Sequence, residues 1–446
     1  MLYGSGTRAH REPESQGRQD EMRKGRVRAA GAALVSVAWL ALGAAEVAAQ
    51  PRTNMLHQWY RGSDAEAIAK LGEMFEAAGG KWEQTAIAGH TANTIAKLRA
   101  DVISGNAPPA VQLKGPEIAE WAATGLTADL NAVAAAEGWD AVVAPQLIGV
   151  MKPAGTWVAA PMNIHRVNWM WGSKKAMDKV GVTAMPRTWE EFNAVAEKMQ
   201  AAGIYPVAHS SQDWIDATLM DNIVYGMDIE LYRKAFVELD LDALRSEGMV
   251  KAFDQLRRMV GWTDPGMAGR DWDAVLPMFF AGESGFLFQG DWAIGTFNAG
   301  GMKEGVDYYC SESPHDRPET GYILNSDSVI FFKQKEQDLI DGQALLATLI
   351  MSPEFQTIFN QAKGSIPARM DVDLSQGFTA CQQLSQKDLA ASVEAGTLVL
   401  SMAHNMAVPQ KFRGVMLEVI TEFVNTPGMS SQDAAKQLAD AVESQL

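Results

Sequence analysis

The stretch Asn54-Met55-Leu56-His57-Gln58-Trp59-Tyr60-Arg61-Gly62-Ser63-Asp64-Ala65-Glu66 decides the fold class. Asn54–Trp59 predicts a strand. Ser63-Asp64-Ala65-Glu66 has the spacing of a capping box, which satisfies the free N–H groups at a helix start. Ile68, Leu71, Met74 and Phe75 then share one helical face, and Gly79-Gly80 supplies a stop. The same alternation continues along the chain. Thr91–Ser104 predicts a helix closed by Gly105, and Pro108–Leu113 a short apolar strand. Thr188-Trp189-Glu190-Glu191 is a second capping box, with Phe192, Val195 and Met199 facing inward, Gly203 at the end and a strand at Tyr205–Ala208. Ser352-Pro353 places a cap and an N1 proline before a helix over Glu354–Ala362, and helices dominate from there to Leu446. Strands alternating with helices predict an α/β architecture. With no internal repeat and no long Pro/Ser linker, any domains are joined by short crossings, so that they can hinge but not separate.

The 446 residues suffice for two or three domains. Their net charge of −16 argues against nucleic acid or an anionic membrane as partner, since both attract cationic surfaces. Residues 1–49 depart from this balance, with a net charge of +2. Arg23, Lys24, Arg26 and Arg28 precede an uncharged run from Ala29 to Ala45, and Val47-Ala48-Ala49 puts small residues at −3 and −1 before Gln50. This order predicts an export signal over 1–49, with translation starting at Met22; the alternative is a transmembrane anchor, for which the run is short. No cysteine lies near Ala49 to carry a lipid, so the expected mature protein is free in a periplasm. In such a compartment Cys310 and Cys381 can pair, closing a loop worth roughly 4 kcal/mol by chain entropy; two buried free thiols are the alternative.

Catalytic signatures are missing. The sequence has no H-E-x-x-H, G-x-S-x-G, Walker A or C-x-x-C, and its seven histidines show no metal-ligand spacing, so no cofactor or metal is expected. Carboxylates are plentiful enough to leave a glycosidase pair open. Tryptophan is over-supplied: 13 in all, with Trp59, Trp169, Trp171, Trp214, Trp272 and Trp292 beside polar residues in predicted loops. An indole face stacks on the C–H face of a sugar ring while neighbouring polar groups bond its hydroxyls; packing is the competing explanation for each lone indole. Polar clusters accompany the ends of predicted elements. Asp64 follows Trp59-Tyr60, Gln112 and Lys114 end a strand, and His165 follows Asn163-Ile164. Trp272 and Trp292 each follow an aspartate, Asn325-Ser326-Asp327 precedes an apolar run, Lys363 closes a helix, and His404 lies within Met402–Met406. In open α/β sheets, ligands bind beyond the carboxyl ends of strands.

On these residues the chain resembles the family 1 extracellular solute-binding proteins of ABC importers, and looks closest to the glucose/mannose-binding branch. The resemblance is carried by Leu56-His57-Gln58-Trp59-Tyr60, Ser104-Gly105-Asn106-Ala107-Pro108, Ala160-Pro161-Met162-Asn163-Ile164-His165, Gly269-Arg270-Asp271-Trp272, Phe288-Gln289-Gly290-Asp291-Trp292, Asn325-Ser326-Asp327 and Lys363-Gly364-Ser365-Ile366-Pro367, and spans residues 50–446. Where the branch often has two adjacent indoles after the first strand, the second here is Tyr60. Where it often has a Gly-rich run, this chain has Ala88-Gly89-His90-Thr91.

The resemblance implies a two-lobe periplasmic-binding-protein fold like that of maltose-binding protein, with a hinged cleft and crossings near residues 161, 325 and 365. The lobes expected are 50–161 plus 325–363, and 162–324 plus 364–446. Trp272 and Trp292, helped by Trp59, are the implied stacking plates; Asp64, Gln112, Lys114, Asn325, Asp327, Lys363 and His404 are the implied hydroxyl ligands, with Tyr60 and His165 beside them. The Cys310–Cys381 pairing matches a disulfide of the branch. The function implied is capture of a monosaccharide, glucose or mannose, for delivery to membrane permease subunits by a monomeric, non-enzymatic carrier. An exported carbohydrate-active enzyme and a receptor serving chemotaxis are the alternatives.

Overall fold

The computed structural model describes residues 49–446, so the expected export signal and the Met22 start lie outside the described residues. One sheet has the order β2 (Lys81–Ala86), β1 (Arg52–His57), β3 (Ala110–Leu113), β11 (Ser328–Phe331), β4 (Ala159–Pro161). Its first three strands are parallel, with Met55 opposite Ala110 and Leu56 opposite Val111; β11 then pairs antiparallel with β3 and with β4. β3 and β11 are buried throughout, as strands become when packing covers both faces. Since β1 and β3 run the same way, the segments after His57 and Leu113 leave the sheet at the same end, beyond the carboxyl ends of these strands.

A second sheet has the order β7 (Tyr205–Ala208), β8 (Ser284–Phe288), β6 (Trp169–Ser173), β9 (Tyr308–Glu312). Trp169 and Trp171 belong to β6 and are fully buried, so these two indoles pack in the protein and do not sit in a loop. The first sheet has one hydrophobic core; the second has one on each face, a larger one (the second core) and a smaller one that holds Trp169, Trp171, Leu287 and Phe297. Met55, Phe75, Val111, Trp157 and Phe331 belong to the first core; Met170, Phe192, Tyr232, Phe253 and Phe286 belong to the second. A small sheet of β12 (Leu398–Leu400), β10 (Tyr322–Asn325) and β5 (His165–Arg166) lies between them. Side chains on a strand alternate between faces. On β10, accordingly, Tyr322 and Leu324 pack in the first core and Ile323 in the second. Ile366, Ala368, Val372 and Phe378, which fall in the expected second lobe, pack in the first core instead, and Ile366 bridges to Ile164.

Local signals set most element ends. Thr188 Oγ1 accepts Glu191 N–H at 3.2 Å, and Ser352 Oγ accepts Phe355 N–H at 3.1 Å, with Pro353 next in line. The box expected at Ser63–Glu66 does not form. The helix Gly62–Ala77 starts two residues early, from Arg61, with no side-chain cap, so Ser63 and Glu66 lie inside its first turns, and the Asp64 carboxylate is bound to Lys363. Cys310 and Cys381 are joined by a disulfide that ties β9 to the helix Ala380–Ala395. Among the described residues no helix is long and apolar enough to cross a membrane.

Candidate functional site

Both cores open onto one cavity of about 150 Å³ beside β5 and β10. From the first core it receives the loop Gln58–Arg61 after β1, Asp64 in the following helix, Lys114 just past β3, Asn325 ending β10, Asp327 just before β11, and Lys363 closing the helix Pro353–Lys363. From the second core come Trp214 in the first turn of the helix Asp213–Met227, Trp272 in a short 3-10 turn, Trp292 at the start of the helix Trp292–Ala299, and His404 in the turn after β12. Trp292 folds back over Gly290. A Cβ there would lie 2.2 Å from the indole, so only glycine permits this close approach.

The polar side is held by ion pairs. Lys114 Nζ lies 2.7 Å from Asp327 Oδ1 and donates to Asn325 Oδ1 at 3.3 Å; Lys363 Nζ donates to Asp64 Oδ1 at 2.5 Å. His165 stands between two carboxylates, with Nδ1 on Asp291 and Nε2 at 3.0 Å from Asp327 Oδ2. Burial alone makes a lone charge costly, but three opposed pairs reverse that cost here. Although burial pushes the Asp327 carboxyl up, Lys114 and His165 outweigh it and hold it well below the usual range. Burial likewise lowers His165, yet Asp291 and Asp327 raise it above its ordinary value. For Lys363, Asp64 and Asp327 overcome burial and raise the ammonium. Burial raises the Asp291 carboxyl as well, against His165, so that pair shares a proton, while Lys114 and Lys363 face Asp327 and Asp64.

The other side is aromatic. The Trp292 ring centre lies 5.5 Å from His165, 5.0 Å from His404 and 6.1 Å from Trp214, and its Nε1 donates to Gln289 Oε1 at 3.0 Å. Trp59 is packed against Phe359, with Lys363 Nζ 5.5 Å from its ring centre. At the rim, Arg61 Nη1 of the first wall meets Asp271 Oδ2 of the second at 2.7 Å, with Asp273 3.6 Å away.

Of the residues singled out by sequence, Trp59, Tyr60, Asp64, Lys114, His165, Trp272, Trp292, Asn325, Asp327, Lys363 and His404 all line this cavity. Gln112 stands behind it, donating to Asp327 Oδ1 at 3.3 Å and accepting Gln58 N–H at 3.1 Å. Sequence reasoning missed Gln58, Arg61, Thr91, Asp273 and Arg413, and left Trp214 unassigned. Only Trp214 had a signal, an indole beside Asp213. Among the described residues no glutamate or aspartate pair stands free in the cavity: Asp64 and Asp327 are each bound to a lysine, and Asp273 lies 3.6 Å from Arg61.

Residues 70–386 match the family of bacterial extracellular solute-binding proteins. A protein of Brucella suis named "Probable sugar-binding periplasmic protein" is 40% identical over 91% of this chain and 96% of its own length. Among solved structures, a chitin oligosaccharide binding protein shares the fold with a TM-score of 0.75 over 89% of this chain and 98% of its own, at 16% identity. Maltose-bound T. maritima MalE3 does so with 0.71 over 89% and 100%, at 17% identity. The architecture is therefore the two-lobe, maltose-binding-protein-like fold, and the chain belongs to the bacterial extracellular solute-binding proteins, which bind their solutes and are not enzymes.

Proposed function

We propose that this protein is the periplasmic receptor of an ABC importer and captures a monosaccharide of the glucose or mannose type. The observation that carries this reading is the convergence on one cavity of Trp214, Trp272 and Trp292 with the hydrogen-bonding groups of Asp64, Lys114, Asn325, Asp327, Lys363 and His404. Indoles supply stacking faces, and the polar groups meet hydroxyls around a ring's edge. The balanced charge of His165, Lys114 and Lys363 against three aspartates suits a neutral ligand. A cavity of about 150 Å³ bridged at its rim by Arg61 and Asp271 favours one ring over a chain extending outward. The name borne by the Brucella suis relative is in keeping with this.

In this reading the lobes divide as 50–161 with 325–378, and 162–324 with 379–446. Sugar held on one lobe gains contacts from the other, and closure shifts by that difference in affinity. The permease then receives the closed form. Calorimetry with D-glucose, D-mannose, D-galactose, D-xylose and maltose tests the proposal. One-to-one binding of glucose or mannose, tighter than maltose by at least about tenfold, is expected. Preference for maltose would remove the monosaccharide assignment, and absence of binding to every sugar would remove the sugar receptor altogether.

A further inference from the structure

His404 faces the cavity with a hydrogen-bond polarity set from behind it. Ser401 Oγ lies 2.7 Å from Asp221 Oδ2 and 2.9 Å from His404 Nδ1. Asp221, fully buried on the helix Asp213–Met227, also accepts Ala403 N–H at 3.1 Å, and the Tyr232 hydroxyl lies 3.1 Å from both Asp221 Oδ1 and Leu400 O, with one proton between them. Among the described residues Asp221 accepts from Ser401 and Ala403 and donates to none, as an ionised carboxylate must. A serine hydroxyl owns a single proton. When Ser401 gives it to Asp221, its oxygen can only accept from His404, so Nδ1 must carry the imidazole proton. Burial, with Lys114 and Arg413 nearby, holds His404 well below its ordinary value, so the ring is neutral and Nε2 keeps a bare lone pair. Nε2 is shielded and has no hydrogen-bond partner among the described residues, while the ring lines the cavity. A buried acceptor without a donor is costly, and a ligand that supplies one is favoured accordingly.

We infer that Asp221, acting through Ser401, fixes His404 as a hydrogen-bond acceptor that selects a ligand presenting a donor hydroxyl at that point of the cavity. Asp221 and Ser401 are positioning residues; His404 makes the contact. The identity of the hydroxyl's owner rests on the proposed sugar-receptor function, whereas the tautomer does not. Burial pushes the Asp221 carboxyl up to about 7, against the bonds from Ser401, Ala403 and Tyr232. The relay is therefore tested at about pH 8.5, where that carboxyl is ionised.

Nitrogen-15 NMR of the sugar-free, histidine-labelled protein reads the tautomer directly, with His404 assigned from H404Q. Proton on Nδ1 in the parent, and a shift toward Nε2–H in S401A, are expected. Nε2–H in the parent, or an unchanged tautomer in S401A, overturns the relay whatever the protein binds. The second measurement is calorimetry with the monodeoxy and monofluoro D-glucoses, since fluorine can accept but cannot donate. At one ring position both replacements should weaken binding by about tenfold or more, and H404A should abolish that difference. A fluoro sugar that binds as well as glucose at every position overturns the selection. If no sugar binds while Nδ1 remains protonated, the sugar-receptor proposal fails and the relay stands.

Discussion

The wall that the first core presents to the cavity holds Asp64, Lys114, Asn325, Asp327 and Lys363, whereas the second core presents Trp214, Trp272, Trp292 and His404. The two walls differ in what they do before any ligand arrives. Polar groups of the first wall already bond one another, so a ligand hydroxyl joins an assembled network. Buried ion pairs of this kind add little net stability, because desolvation offsets their attraction; what they fix is geometry. Indoles of the second wall bring apolar area whose burial on binding is favourable in itself. Removing a group from the first wall should therefore damage the fold, and removing one from the second should damage binding.

Asp327→Ala breaks that comparison most directly if it is wrong. It leaves Lys114 and His165 buried without their shared carboxylate, and should lower unfolding free energy in urea by about 3–5 kcal/mol. A loss below about 1 kcal/mol would show that the first wall is not held together by this pair. On the second wall, Trp272→Ala and Trp292→Ala should each weaken sugar binding by about 2 kcal/mol in calorimetry, as truncated aromatic anchors do. Trp272 is only partly buried, so its variant should keep nearly the parent's stability. Unchanged affinity in both variants would remove the indoles from the site.

The walls should also separate in their response to pH. His165 is raised, so its contribution to stability is complete below about 6.5 and is lost as pH rises through its folded value, at up to about 1.4 kcal/mol per pH unit. Asp327 is depressed, so its contribution is present above about 4 and is lost only as pH falls through its low folded value. Asp221, raised to about 7, causes a decline of its own between about 4 and 7. Urea midpoints from pH 7 upward thus report the coupled His165–Asp291 pair, since burial raises the Asp291 carboxyl as well, and H165Q should flatten their fall. The same slope in H165Q would assign the alkaline loss elsewhere.

The difference between the walls also explains what was legible in the sequence. Tyr205–Ala208, the Thr188 cap and Ser352-Pro353 are local signals, and the structure keeps them where short-range chemistry places them. Indoles beside aspartates stand out by composition, which is why Trp272 and Trp292 could be singled out. Even so, Trp169 and Trp171 show the limit of that signal, since a tryptophan beside polar residues fits a buried strand equally well. Partnerships in the first wall are not written locally. Lys363 meets Asp64 across 299 positions. Gln112 looks like a ligand group at a strand end but turns inward to Asp327. Asp221 and Ser401, 180 positions apart, belong to no motif at all. Family resemblance supplied most of the first wall, because it carries tertiary information that spacing lacks.

The rim gives the smallest and most discriminating test, because there the walls touch through charge. Arg61 Nη1 and Asp271 Oδ2 are 2.7 Å apart, but their side chains are 43% and 41% exposed, so solvent screens the pair and it is worth no more than about 1 kcal/mol. In the proposed division of the lobes it joins one to the other, so opening of the cleft would separate it. Any contribution it makes belongs to the closed form and appears in sugar affinity, not in the stability of either core. R61Q should therefore weaken binding by up to about fivefold at low salt, mainly through faster release. The deficit should shrink as salt is raised from about 0.01 M toward 1 M, as the screening length falls from about 30 Å to about 3 Å. A deficit that persists in high salt would mean that Arg61 touches the sugar itself. No deficit at low salt would mean that the two walls close without help from the rim, leaving closure to the ligand alone.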